Sequence, residues 1–388
     1  MKGVAIIGAG AAGCFCAANL GKMCPEIPVT IFEAASRPMS KLSITGGGRC
    51  NITNSFEGIR SLKEAYPRGE RLMKRALKEF SVHDTVEWFT SSGVHLTLQE
   101  DHCYFPVSQD AMDVVGCLSR GIKGASLKLG THIKEVSPLL EEFDAVVVTT
   151  GGTPKGFPLL DGLDVMTIPP VPSLFTFNIK DRALTGLMGL VVPASVSIPG
   201  SGIKASGPLL ITDWGLSGPA ALKLSSYAAR LLSESSYRAP LSINWLNMPE
   251  ADVRETLMTL CRENQARMVA STHILPSRLW EYIVTRSGLR KDIRWGEMGS
   301  KGLNRLVATL VSDNYTIEGK SRFREEFVTC GGVSLDEIKL STLQSRKYPG
   351  LYFAGEVLDV DAITGGFNLQ AAWSTAYMAA KSIAGNWM

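Results

Sequence analysis

The chain of 388 residues has eight cysteines but no C-x-x-C pair. Neither a zinc knuckle nor a thioredoxin-type dithiol has local support, and cysteines scattered at 14, 16, 24, 50, 103, 117, 261 and 330 read as reduced thiols. His95, His102 and Cys103 lack ligand spacing, so no metal site is expected. Neither sign of charge dominates: 40 basic side chains face 37 acidic ones, for a formal charge of +3, and no basic cluster stands out along the chain. A nucleic-acid partner is therefore not expected. Past the first twenty residues no apolar run reaches the roughly 20 needed to cross a bilayer. The apolar start from Lys2 to Leu20 is interrupted by Gly8, Gly10 and Gly13, which a signal peptide would avoid. These absences lead us to expect a cytoplasmic protein without a membrane partner. Repeats and low-complexity tracts are also missing.

What is present is a composition of 45% hydrophobic and 20% charged residues, enough to bury a large core in two or three domains at about 150 residues each. Residues 3–7 (Gly-Val-Ala-Ile-Ile) form an apolar run suited to a strand buried on both faces. Gly8-Ala9-Gly10-Ala11-Ala12-Gly13 follows directly and matches G-x-G-x-x-G. In that pattern the first glycine permits the turn, the second admits a pyrophosphate close to the backbone, and the third lets helix approach strand. A helix from about 11 to 22 would point its free amides and positive dipole end at the phosphates. A second strand, Val29–Phe32, ends at Glu33, placed to accept from ribose hydroxyls. The glycine turn alone does not separate FAD from NAD.

Three further segments favour FAD. Lys41 to Asn54 is dense in backbone donors, with Gly46, Gly47, Gly48, Arg49, Cys50 and Asn51 at its centre, and suits a lining for an extended diphosphate and ribityl chain. Phe143 to Gly152 reads as another buried strand ending in Thr150 and Gly151, and the preceding Thr131–Val136 alternates like a half-buried strand, with Ile133 a candidate at the adenine. Near the far end, Leu351-Tyr352-Phe353-Ala354-Gly355-Glu356 leads to Asp359, Asp361 and Gly365-Gly366-Phe367-Asn368-Leu369, opening an alanine-rich helix to about Ile383. Glu356 would accept from ribityl hydroxyls, and the helix start would face the flavin where it becomes anionic on reduction. No second glycine fingerprint occurs, so a dedicated NAD(P)H domain is not expected, and NAD(P)H would visit only as a transient electron donor.

Together these segments resemble the BaiN/YhiN-type family of FAD-dependent flavoproteins over nearly the whole length. The signatures are the glycine turn with Glu33, Gly47-Gly48-Arg49-Cys50-Asn51-Ile52-Thr53-Asn54, Phe105-Pro106 with Ser108, Gly215-Leu216-Ser217-Gly218-Pro219, Gly331-Gly332-Val333, and Ala354 to Asp361. The resemblance implies an FAD domain made from both chain ends and interrupted by an insert. It implies FAD contacts at Gly8, Gly10, Ala11, Ala12, Gly13, Glu33, Gly47 to Asn51, Gly151, Gly355, Glu356, Gly366, Phe367 and Asn368; Ala34, Lys41, Ile133, Thr150 and Leu369 lie beside them. Two positions depart from the family pattern. Thr212 is followed by Asp213 where relatives usually carry histidine, and Ala362 stands where glycine is common.

The expected organisation is an α/β protein: a Rossmann-like FAD-binding domain from 1–170 and 327–388, and a β-rich insert at 171–326 with a helical subdomain near 248–300. Pro169, Pro170 and Pro172 should break the sheet pattern, and the runs 174–179 and 191–198 suggest antiparallel strands. Gly215 to Pro219 is read as a turn at the lobe boundary ahead of part of the substrate wall, Trp214 as core ahead of packing over a ring, and Arg286, Arg290, Lys291 and Arg294 as a solvated face ahead of an anion-binding patch. His102, Asp213, Asp361 and Cys330 are candidate acids or bases, and spacing singles out none of them. The functional expectation is hydride exchange between flavin N5 and a small organic substrate. The alternatives are a non-catalytic flavin-binding or sensing protein, or a tRNA-modifying flavoprotein, the latter disfavoured by the near-neutral charge.

Overall fold

The computed structural model describes residues 2–153, 155–320 and 328–387. The chain divides into two compact units, Met1–Pro172 with Val328–Met388, and Ser173–Phe327. The expected return from insert to FAD domain at 326/327 falls outside the described residues.

The first unit is built on five parallel strands: β1 (Val4–Ile7), β2 (Val29–Phe32), β3 (Ser126–Lys128), β4 (Ala145–Val148) and β5 (Leu351–Phe353), in the order β5-β4-β1-β2-β3. Strands β1 and β4 are apolar and wholly buried, as a parallel sheet covered on both faces requires. Register sets the site. Ile7 is paired with both Phe32 and Val148, and Val148 with Phe353, so Gly8, Glu33, Thr149 and Ala354 leave the sheet along one carboxyl edge. Two alanine-rich helices, α1 (Ala11–Met23) and α3 (Phe367–Trp387), bury most of their length. At their junction Phe15 lies 4.6 Å from the Trp88 ring and 5.1 Å from the Trp373 ring. Burying such rings contributes about 1.5–3 kcal/mol each. A small antiparallel sheet, with Cys103–Pro106 between Thr53–Asn54 and Leu96–Leu98, flanks this core.

Two strand expectations need correction here. Thr131–Val136 forms no strand. The amides of Gly130 and Thr131 bond to the carbonyls of Ala35 and Glu33, and the chain then turns into the helix Ser137–Glu142. Alternating exposure arose there without a partner strand, because β3 already forms the sheet edge. Conversely, Pro169, Pro170 and Pro172 lie inside a strand, Thr167–Ser173. Among the described residues its sheet has one other strand, Val328–Val333, so the missing amides can face away from that ladder.

The second unit is a closed barrel of Phe177–Ile179, Val191–Ser197, Lys204–Ile211, Gly215–Ser217, Ala239–Asn244 and Asp313–Lys320. Alternation along Val191–Ser197 places Val192, Ala194 and Val196 inside. Helices Glu250–Glu263, Ser277–Arg286 and Gly299–Val311 carry the helical stretch past residue 300. Gly215 to Pro219 is not a turn: Gly215–Ser217 is a barrel strand and Gly218 opens the helix Gly218–Tyr227. A side chain at Gly215 would put its Cβ 2.2 Å from the Phe177 carbonyl oxygen, so the barrel closes there only with glycine. Trp214 is 36% exposed and donates to Thr176 rather than packing in the core. Arg286 is held by Asp313 and Asp181, and Arg290 by Glu297, so these two cations are ion-paired within the unit.

The architecture is thus a Rossmann-like sheet drawn from both chain ends with a β-rich insert. Among the described residues no helix is long and apolar enough to cross a membrane.

Candidate functional site

The glycine turn is as tight as its sequence requires. A Cβ on Gly13 would sit 1.9 Å from the Gly8 carbonyl oxygen, and Gly8 itself has φ 106°. At Gly10, by contrast, a Cβ would meet nothing within 4 Å. That open space lies at the N-terminus of α1, where no side chain caps the helix, so the first-turn amides at Ala11, Ala12 and Gly13 have no intrahelical acceptor. An uncapped helix end beside a vacant glycine suits a diphosphate.

Glu33, at the end of β2, is half-buried. Its carboxylate accepts from the Ala9 amide at 2.7 Å and the Ala35 amide at 2.8 Å. A carboxylate offers about four lone-pair positions, so two remain for ribose hydroxyls. Ala34 is exposed beside it and Ile133 is half-buried nearby in sequence to the 130–131 contact with β2.

Gly355 has φ 78°, and a Cβ there would come within 2.7 Å of the Ala12 Cβ. The carboxyl-terminal Gly-Glu therefore lies directly against the first turn of α1. Glu356 accepts from Lys41 at 3.0 Å and from the Thr329 amide at 2.9 Å, and Gly151, also left-handed, lies beside its carboxylate. In the glycine loop, Gly46, Gly47 and Gly48 all have positive φ, which turns consecutive amides without side-chain obstruction at 47 and 48. Arg49 is exposed over the Phe105 ring at 4.5 Å. Cys50 is buried, and that burial pushes its thiol up to about 12, so it is a neutral packing group.

The start of α3 is tied to this loop. Asn51 donates to the Thr53 carbonyl at 3.0 Å and accepts from the Gly366 amide at 3.2 Å. Asn54 donates to the Gly365 carbonyl at 3.0 Å. The Asn368 side chain holds both the amide (2.9 Å) and the carbonyl (3.1 Å) of Ala362, and the Phe367 ring packs edge-on at 4.9 Å from Phe56. These two side chains thus fix the loop 361–367, and the first-turn amides of Phe367, Asn368 and Leu369 have no intrahelical acceptor. Thr150 is exposed at the mouth of β4.

Of the candidate acids and bases, Asp361 is completely buried and paired with Arg68. His102 is half-exposed with Nδ1 3.5 Å from Glu57, Cys330 is buried in the strand Val328–Val333, and Asp213 is exposed on the second unit. Sequence reasoning missed Tyr66, whose hydroxyl donates to the Phe367 carbonyl at 2.9 Å, and Arg68; only their position in Tyr-Pro-Arg-Gly could have marked them.

A parallel β5-β4-β1-β2-β3 sheet, an uncapped glycine turn, Glu33 at the end of β2 and a Gly355-Glu356 step packed against α1 fit one extended FAD. They define a flavin-dependent oxidoreductase. The chain belongs to the family described as HI0933-like protein Rossmann domain, which matches residues 2–382, and the BaiN/YhiN-type resemblance read from the motifs is upheld. It is 30% identical over 406 residues to the ribosomal RNA dihydrouridine synthase of Escherichia coli, covering 97% of each chain. The Haemophilus influenzae protein of the same name is 29% identical over 407 residues, again covering 97% of each. The 3-dehydro-bile acid delta(4,6)-reductase of Clostridium scindens is 27% identical over 425 residues, covering 99% of each.

Proposed function

We propose that this flavoprotein reduces a carbon–carbon double bond conjugated to a carbonyl. The observation that carries this reading is the chemistry shared by relatives aligned over almost their full length. Making a dihydrouridine saturates a ring double bond conjugated to a carbonyl, and a delta(4,6)-reductase of a 3-dehydro bile acid acts on double bonds conjugated to a ketone. Bound FAD supplies a hydride equivalent at N5. With FAD bound, that hydride would go to the carbon distal to the carbonyl, and a proton would complete the adjacent carbon.

The chain's own part is positioning and electrostatics. The α1 amides would hold the diphosphate, Glu33 the ribose on the adenine side, Glu356 the ribityl hydroxyls, and Lys41 with the Gly46–Gly48 loop would line the diphosphate and ribityl chain. The amides and positive dipole end of α3 favour the charge that the ring carries when reduced. Asp361, neutralised by Arg68, orients the loop leading to that helix.

A small organic conjugated carbonyl is the first substrate class; a uracil ring within RNA is the second, favoured by the two ribosomal RNA dihydrouridine synthases among the relatives. NAD(P)H is the proposed transient electron donor. Eight cysteines scattered along a chain too large to need stapling support a reducing, cytoplasmic setting. The test is anaerobic: NADH or NADPH should bleach the visible flavin band, and addition of a conjugated enone or of unmodified ribosomal RNA should restore it with gain of H2 in the product. Bleaching by either nucleotide, followed by reoxidation only with air, would overturn the reading in favour of an oxidase.

A further inference from the structure

The near-neutral total charge conceals one uneven surface. Helix α2 (Glu70–Glu79) turns Leu72, Met73 and Ala76 into the core and leaves Arg71, Lys74, Arg75 and Lys78 exposed. Their i, i+3, i+4, i+7 spacing puts all four on one helix face. Lys339 and Arg346, more than 260 residues further along, close that face into a groove of about 630 Å³. The expectation that the chain holds no basic cluster is therefore corrected: four of these cations already lie within residues 71–78, and the fold adds Lys339 and Arg346 to them.

These six cations have no carboxylate partner among the described residues. Glu79, the one acid in the groove, is paired with Lys381 at 3.0 Å, and Lys339 donates to the Gln344 side chain at 3.2 Å. Lys347 shows the contrast: one residue beyond Arg346 and outside the groove lining, it is neutralised by Asp164 and Glu337. Like charges at i, i+4, as in Arg71 with Arg75 and Lys74 with Lys78, disfavour the helix unless something anionic covers them.

We infer that this groove binds the phosphodiester backbone of RNA, a step that rests on the proposed reduction and assigns its substrate to the RNA class. Three observations select that ligand. Arg71 and Lys78 are seven residues apart, about 10 Å along the helix. Phosphates recur about every 3.4 Å of axis along one strand of a duplex, so the row faces about three of them, whereas a dinucleotide offers a single pyrophosphate. A membrane surface would be met by exposed apolar side chains beside the cations, and none of the exposed large hydrophobics lines the groove. Finally, Gly69 caps the start of α2 and directly follows Arg68, which pairs with Asp361 in the loop leading to α3. The helix that carries the groove is thus tied through Arg68 and Asp361 to the loop leading into α3.

The experiment uses the FAD-loaded protein and a fluorescein-labelled RNA hairpin of mixed sequence, with anisotropy followed over a potassium chloride series. The wild type should bind with a log–log salt slope of about −3 to −5, since each neutralised phosphate contributes about −0.9. Lys74→Gln/Arg75→Gln keeps good helix formers on an exposed face. It should retain FAD, flatten the slope by about 2 and weaken binding tens of fold near 0.1 M salt. The control Lys123→Gln/Lys180→Gln, exposed elsewhere, should bind like the wild type. An unchanged slope in the groove variant overturns the proposal, as does wild-type binding to phosphatidylglycerol vesicles without binding to the hairpin, or displacement of the hairpin by stoichiometric NADPH. If the groove binds RNA and no uracil is reduced, the groove stands and the RNA reading of the reaction falls. If uracil is reduced and the groove variant binds as before, the reaction stands and the groove falls.

Discussion

Arg68 and Asp361, 293 residues apart, form a buried ion pair in which Arg68 Nε donates to an Asp361 carboxylate oxygen at 2.6 Å. Asp361 is fully buried and the Arg68 side chain only 14% exposed. The pair joins the residue before α2 to the loop that delivers the N-terminus of α3, so two distant segments share one electrostatic fastening.

Arg68→Ala should leave the Asp361 carboxylate buried without its partner, at a cost of about 3–5 kcal/mol in unfolding free energy. Arg68→Met/Asp361→Asn, which removes both charges and keeps much of the volume, should recover a large part of that loss. Urea unfolding of the single and double variants measures the difference. Equal stability in both would mean the pair is not what holds the loop.

Gly10 and Gly13 should respond oppositely to the same added methyl. Gly13→Ala drives a Cβ into the Gly8 carbonyl, so the apoprotein itself should lose stability. At Gly10 the Cβ meets no protein atom within 4 Å, so Gly10→Ala should leave the apoprotein melting unchanged while weakening FAD binding at least tenfold, about 1.4 kcal/mol. Thermal melting of the apoprotein and FAD titration separate the two. Normal FAD affinity in Gly10→Ala would move the diphosphate away from this turn.

The contrast also shows which parts of the site can be read from sequence. Gly8, Gly10, Gly13 and Glu33 are legible because strand, turn, helix and second strand are local, and their geometry is dictated within thirty residues. Gly355 and Glu356 are legible as a strand ending in Gly-Glu, although their contact with Ala12 is tertiary. Arg68 carries no periodic or motif context, and its partner is fixed only when α3 docks. Thr131–Val136 misleads because alternation reports exposure and not pairing. The cations of α2 are legible as a cluster at 71–78 but are passed over when the near-neutral total charge is the guide, while Lys339 and Arg346 join them only in the fold.

Glu33 has two tasks that one substitution tests together. As a carboxylate it binds the Ala9 and Ala35 amides and still has lone pairs for a ribose. Glu33→Gln keeps one acceptor oxygen and loses the charge; charge-assisted hydrogen bonds are worth about 1.5–3 kcal/mol, so FAD affinity should fall about 10- to 150-fold. Equilibrium dialysis of flavin from the purified variant checks this, and an unchanged dissociation constant would place the ribose elsewhere.

Three buried thiols make the fold sensitive to alkali. Burial raises Cys16 and Cys50 from an ordinary value of 9.0 to about 12, and burial with the nearby Glu33 charge does the same to Cys14. Above pH 9 the unfolded chain releases these protons while the folded protein keeps them, so the unfolded state binds fewer protons and stability falls as pH rises toward 12. Each thiol contributes a slope of about 1.4 kcal/mol per pH unit in that window and nothing below it. Cys16→Ala, a small substitution on a fully buried face of α1, should lower stability at pH 7 and also flatten the alkaline slope by one proton. Urea unfolding at several pH values from 8 to 11 reads both effects, and an alkaline slope that is the same in the variant would mean Cys16 ionises in the folded state as freely as in the unfolded one.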